Sequence, residues 1–187
     1  MGASKTIGAG EVRAAIGRLA AAIATRHGRG SRLLLLGIAN GGVELARRLA
    51  AALAPTAPAA VAGTLDISFH RDDLGRHPIP KEFAPTHIPG DVNGAQVILV
   101  DDVLFTGRTI KAALDELFDH GRPARVELAV LVDRGGRLLP VAADYTGLTL
   151  AAAPDEKVVV SLDDHHPAED RIRIGQSKIE NPKSKLS

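Results

Sequence analysis

Apolar residues fall into two recurring patterns along this chain: unbroken aliphatic runs of strand length, and positions repeating every three or four residues. Leu33–Ile38 (L-L-L-L-G-I) and residues 97–100 (V-I-L-V) are runs of the first kind, and residues 126–132 (V-E-L-A-V-L-V) are another strand-length run broken only by Glu127. A strand buried on both faces needs such continuity, and β-branched residues favour it. From Glu11, Val12, Ile16, Leu19 and Ile23 recur at helical spacing, with Arg13 and Arg18 pointing elsewhere. His27-Gly28-Arg29-Gly30 then supplies the glycines expected beyond a helix end. Val43, Ala46, Leu49 and Leu53 mark a second helix. Ile110, Ala113, Leu114, Leu117 and Phe118 mark a third, which Gly121-Arg122-Pro123 breaks. A connector rich in proline and alanine (54–60) leads into a strand over residues 61–69, residues 157–162 read as another, and residues 171–174 as a short edge strand. Residues 1–10 read as a loose leader and 181–187 as a frayed tail. Strands alternating with helices predict an α/β fold with a mainly parallel sheet flanked by helices.

Residues 71–94 fit neither pattern. Prolines and glycines are spaced there among charged residues, and Asn93-Gly94 makes the turn into the next strand. So long an aperiodic stretch inside a domain usually serves function, and it reads as a mobile flap.

The chemistry concentrates in residues 97–109, V-I-L-V-D-D-V-L-F-T-G-R-T. Asp101 and Asp102 follow a buried strand at its carboxyl end, where ligands bind in open α/β sheets. Thr106-Gly107-Arg108-Thr109 then enters a helix, and such a turn presents free N–H groups and a positive dipole end to an anion. The carboxylates repel phosphate but suit vicinal hydroxyls or hydrated Mg²⁺ a short distance away. A ribose 5-phosphate satisfies both halves. No G-x-x-x-x-G-K-[ST] exists for a nucleotide triphosphatase reading. His165 and His166 beside Asp163 and Asp164 read as a solvated loop, since neighbours in a loop rarely converge on one ion.

Composition narrows the rest. The 187 residues, 45% hydrophobic and 24% charged, fit one globular domain over the whole chain. The absence of cysteine excludes disulfides and thiolate chemistry. No apolar run approaches the roughly 20 residues of a membrane span, so the expectation is a cytoplasmic protein with no membrane partner. A net charge of +1 and 3% aromatics give no global case for nucleic acid.

Residues 97–109 resemble the phosphoribosyl pyrophosphate (PRPP) signature of type I phosphoribosyltransferases. The resemblance extends over most of the chain to the PyrR group, through residues 65–74 (L-D-I-S-F-H-R-D-D-L), 121–123 (G-R-P) and 131–145 (L-V-D-R-G-G-R-L-L-P-V-A-A-D-Y). It implies a type I phosphoribosyltransferase-like fold with a small hood, and transfer of phosphoribosyl from PRPP to uracil, giving UMP and pyrophosphate with Mg²⁺. The competing reading is a UMP- or PRPP-sensing, RNA-binding regulator of pyrimidine genes, and a homodimer or higher oligomer is implied either way. By position, Val103, Leu104, Phe105, Thr106, Gly107, Arg108 and Thr109 would hold the 5-phosphate. Asp101 and Asp102 would meet the ribose hydroxyls, while Ala39, Asn40, Gly41 and Gly42 would hold pyrophosphate, assisted by Arg71 from the flap. Arg137, Leu138, Leu139 and Val141 would read the base, and Asp144 would touch Mg²⁺ through water. The chain departs from the PyrR pattern at Asn40 and Gly41, where Thr and Arg are usual, at Gly136, often His, and at residues 147–152.

Overall fold

The computed structural model describes residues 5–28, 32–70 and 85–176. In chain order they form β1 (Lys5–Ile7), α1 (Ala9–Arg26), β2 (Leu33–Ile38), α2 (Gly41–Leu53), β3 (Ala60–Leu65), β4 (Gln96–Leu104), α3 (Arg108–Asp119), β5 (Arg125–Asp133), β6 (Tyr145–Thr149), β7 (Glu156–Ser161) and β8 (Arg171–Gln176). Five strands make a parallel sheet in the order β3-β2-β4-β5-β6, and β1-β8-β7 make a small antiparallel sheet, the hood. All six residues of β2 are buried, as a strand with a helix layer on each side requires.

Two apolar clusters, one on each face, hold this sheet. Leu19 and Ile23 of α1 and Leu45, Leu49 and Leu53 of α2 pack on Leu33, Leu35, Ile98, Val100 and Leu131. On the other face Ile110, Ala113 and Leu117 of α3 pack on Leu34, Leu36, Val97, Leu99 and Val130. The hood joins the first cluster through Ile172, with Val158 and Val160 packed against it.

This wiring creates a reversal between β2 and β4. The crossover from β2 through α2 runs outward to β3 on one face, and that from β4 through α3 runs to β5 on the other. The carboxyl ends of β2 and β4 therefore flank the switch point where open α/β sheets bind ligands.

Several boundaries differ from the sequence reading. Residues 5–7 are not a leader: Lys5, Thr6 and Ile7 pair with Ile174, Arg173 and Ile172. Three residues are too few for periodicity to register. β4 does not stop at Val100 but carries both aspartates to Leu104, and β3 ends at Leu65 rather than at residue 69. β6 has no counterpart in the sequence reading, because Y-T-G-L-T holds too short an apolar run. The flap reading covers residues 71–84, which lie outside the described residues, and residues 85–94, which are fastened. His87 bridges Thr64, and Asp91 O accepts a hydrogen bond from Arg32. Among the described residues no helix is long and apolar enough to cross a membrane.

Candidate active site

The strict alternation of β4 breaks at its two aspartates. Val97 and Leu99 face one cluster and Ile98 and Val100 the other, yet Val103 joins Ile98 and Val100 while Leu104 joins Leu99. Asp101 and Asp102 occupy the break. Asp101 is buried, and its Oδ1 accepts the Asp102 N–H at 3.0 Å. Burial pushes the Asp101 carboxyl well above its ordinary range, and the Asp102 charge adds to the effect. Burial also raises Asp102. Among the described residues neither carboxylate has a cationic partner. Two desolvated carboxylates side by side form a hard-oxygen donor set, which fits Mg²⁺ or sugar hydroxyl donors.

The turn between β2 and α2 is pressed onto this pair. A Cβ on Gly42 would lie 2.0 Å from Val100 O, so no other residue fits there without moving the backbone. A Cβ on Gly41 would lie 2.5 Å from Asp102 Cγ, so the Asp102 carboxylate fills the space a side chain would need. The Ala39–Asn40 peptide is cis, and α2 begins at Gly41. Its first N–H groups therefore open beside Asp102.

On the other side the chain leaves β4 through Phe105 and Thr106 and enters α3 at Gly107, whose φ of 92° is left-handed. The loop after β5 braces this turn. Thr106 O accepts the N–H groups of Leu138 and Leu139 at 3.0 and 3.1 Å, and a Cβ on Gly107 would meet Leu139 and Val141 at 3.2 and 3.3 Å. Arg137 ties the two segments together. Its guanidinium donates to Leu104 O, Phe105 O, Gly135 O and Val141 O and pairs with Asp133.

Beyond Val103 a cavity of about 500 Å³ opens between the end of β4 and the start of β7, lined by Val103, Phe105, Arg134, Asp155, Lys157 and Val158 among others. Such a volume suits a small organic ligand. Arg134 forms one wall. It is buried, it lies 3.9 Å over the Phe105 ring, and it donates to Glu156 O at 2.8 Å and Ala153 O at 3.0 Å. Its Nε has no hydrogen-bond partner among the described residues.

Comparison with known proteins decides the family. The phosphoribosyl transferase domain matches residues 5–165. The chain belongs to the phosphoribosyltransferase family. It is 49% identical over 164 residues to the bifunctional protein PyrR of Roseiflexus sp., covering 87% of this chain and 89% of that one. It is 53% identical over 147 residues to the bifunctional protein PyrR of Streptomyces coelicolor, covering 78% and 76%. Solved structures agree on the fold. The hypoxanthine phosphoribosyltransferase of Trypanosoma cruzi superposes with a TM-score of 0.65 at 20% identity, covering 91% of this chain and 95% of that one. A hypoxanthine-guanine phosphoribosyltransferase of Bacillus anthracis gives 0.63 at 20%, covering 83% and 85%.

Within this phosphoribosyltransferase, Asp101, Asp102, the turn at residues 39–42 and the loop at residues 103–109 converge at the switch point. Arg71 lies outside the described residues. Asp144 does not join them. It sits before β6, two strands from β4, where Oδ2 accepts the Leu128 N–H at 3.0 Å and Oδ1 faces Arg26 at 3.4 Å. The reading of Asp144 as a magnesium contact is corrected accordingly: its carboxylate is used to seat β6 against β5. The N–H groups of Leu138 and Leu139 are also engaged, by Thr106. Sequence reasoning missed Arg134 and the β7 side of the cavity. An arginine two positions beyond the aliphatic run of residues 128–132 was the available signal.

Proposed function

We propose that this phosphoribosyltransferase moves phosphoribosyl from PRPP to uracil, giving UMP and pyrophosphate. One observation carries the reading: the Asp101–Asp102 pair lies between two helix N-termini, that of α2 at Gly41 and that of α3 at Arg108. PRPP has the matching form, a diol sugar with pyrophosphate on one side and a monophosphate on the other. In this reading the N–H groups of residues 106–109 hold the 5-phosphate and those of residues 39–42 hold pyrophosphate. The aspartates fix the ribose hydroxyls, and the base enters the cavity beyond Val103. The C1–O bond to pyrophosphate breaks as the C1–N bond to the base forms, and the base N–H proton leaves. Carboxylates at the sugar favour the positive charge that develops there, while fixed N–H dipoles favour the departing anion. Asp101 and Asp102 would hold Mg²⁺ with PRPP, and the ion would supply charge neutralisation to the pyrophosphate.

The decisive experiment is product formation from PRPP and Mg²⁺ with uracil, hypoxanthine, guanine and orotate in parallel. Uracil turnover that exceeds the other three supports the reading, and preference for a purine overturns the base assignment. The relatives are named bifunctional, which favours a second reading, nucleotide-sensing regulation through RNA. A gel shift with pyrimidine-operon leader RNA against a scrambled control, at stated salt, tests it. Self-association is the companion proposal. Phe69 and Leu138 are 81% and 68% exposed, and light scattering reads the oligomer directly.

A further inference from the structure

We propose that His70, Glu116 and Asp119 form a site for a divalent transition metal ion, zinc by its donor set, which joins the turn after β3 to the C-terminal half of α3. Among the described residues this is one group of three whose ligand atoms all lie within 4.8 Å of one another. His70 Nε2 stands 3.0 Å from Glu116 Oε2 and 3.4 Å from Asp119 Oδ2. A tetrahedral ion with bonds of roughly 2.0–2.2 Å sets its donors about 3.4 Å apart. The two separations from His70 are therefore close to those of a loaded site. One imidazole nitrogen with two carboxylate oxygens is also a zinc donor set, and it leaves a fourth position for water.

The support around Glu116 argues for ligation over a plain ion pair. Its Oε1 accepts from Thr86 Oγ1 at 2.7 Å and faces His120 Nε2 at 3.0 Å, which leaves Oε2 turned toward His70. Ligating carboxylates are oriented by such outer partners. Glu116 and Asp119 stand three residues apart on one face of α3. His70 arrives from a turn in which its N–H bonds Ile67 O.

The site is separate from the catalytic end of the helix. Glu116 lies eight residues beyond Arg108, about 12 Å along α3. Its effect would fall on the chain flanking residues 71–84. His70 holds one flank, and Thr86, which also accepts the Asp66 N–H, holds the other. A bound ion fastens the His70 flank to the carboxylate that Thr86 already holds.

The test is calorimetric titration of ZnCl₂ into the full chain, stripped by chelator and kept in excess Mg²⁺ so that oxygen-only sites are filled. One saturable Zn²⁺ per chain is expected, with a rise in melting temperature. Co²⁺ in its place should give the intense visible absorption of a tetrahedral ion. His70→Ala, and independently the isosteric Asp119→Asn at a 70% exposed side chain, should each weaken Zn²⁺ at least about tenfold. Asp101→Asn, and replacement of both His165 and His166 by Ala, should leave Zn²⁺ binding unchanged. No saturable binding, binding that survives His70→Ala, or binding lost with His165 and His166 overturns the proposal.

Discussion

Asp101 is a group the ligand-free fold pays for. It is 6% exposed, beside a second carboxylate, and no described cation offsets it. Asp101→Asn keeps the shape and the oxygen that accepts the Asp102 N–H while removing the unfavourable charge. The variant is expected to lose most transferase activity, by a hundredfold or so if each well-placed group contributes a few kcal/mol. It is also expected to melt no lower than the parent, and higher by a few degrees at neutral pH. Parallel loss of melting temperature and turnover would mean that the carboxylate is structural. Gly107 works through geometry. Its left-handed φ and its contacts with Leu139 and Val141 leave no room for a branched side chain. Gly107→Val should weaken PRPP and UMP together, since both carry the 5-phosphate, and leave free pyrophosphate nearly unaffected. Calorimetry with the three ligands checks this, and loss confined to pyrophosphate would exchange the two anion sites. Gly136 has a related constraint, with φ at 75° and a Cβ position 2.5 Å from the Phe105 ring. Glycine there, where PyrR sequences often have His, goes with the Phe105–Arg134 stack.

Among the elements, the contact between β5 and the hood depends on Arg134, which joins the end of one to the approach of the other. Arg134→Met removes both hydrogen bonds and the stack on Phe105. It leaves two carbonyls unpaired, at a cost of about 1–3 kcal/mol. The expected result is a melting temperature lower by several degrees and a KM for the base raised more than the KM for PRPP, read in steady-state assays with each substrate varied. The central elements were legible in the sequence because burial on two faces writes itself as continuous aliphatic runs, as in β2 and residues 128–132 of β5. Helices α1 to α3 were legible through residues such as Leu19, Leu49 and Leu117, which recur at helical spacing. Of the hood, β7 and β8 were read close to their positions, but β1 was not. β1 owes its strand to partners at Ile172 and Ile174, and nothing in Lys-Thr-Ile announces a partner so far along the chain. The candidate site divides along the same line. Its carboxylate pair and the turn into α3 are contiguous in sequence, so their nearness could be read there. Arg134, Ala153 and Glu156 meet only after folding, and Asp144 was misplaced because its pairing with Leu128 and Arg26 is likewise tertiary.

Across the whole molecule, stability should respond to pH through two opposed sets of carboxyls. Glu44, Glu116 and Glu127, held low by their arginine, histidine, threonine or tyrosine partners despite burial, contribute stability present above the ordinary carboxylate range. That part is lost as pH falls through their lowered values. Asp101 and Asp102, held high by burial, contribute the reverse. Their part is present below the ordinary range and lost as pH rises through the raised values. Thermal melts from acid to neutral pH should therefore climb more steeply for the Asp101→Asn, Asp102→Asn double variant than for the parent. Equal slopes would mean that the pair titrates normally in the folded chain. The hood also has a temporal consequence. Its sheet is closed by β1 against β8, the first and last described strands, so Lys5 finds Ile174 only after all the intervening chain exists. On the ribosome the parallel sheet and the two turns proposed to hold anions can form while the β7 wall of the cavity proposed for the base is still missing. The nascent enzyme would then hold a sugar phosphate before it can choose a base, and base selection would be the last property the chain acquires.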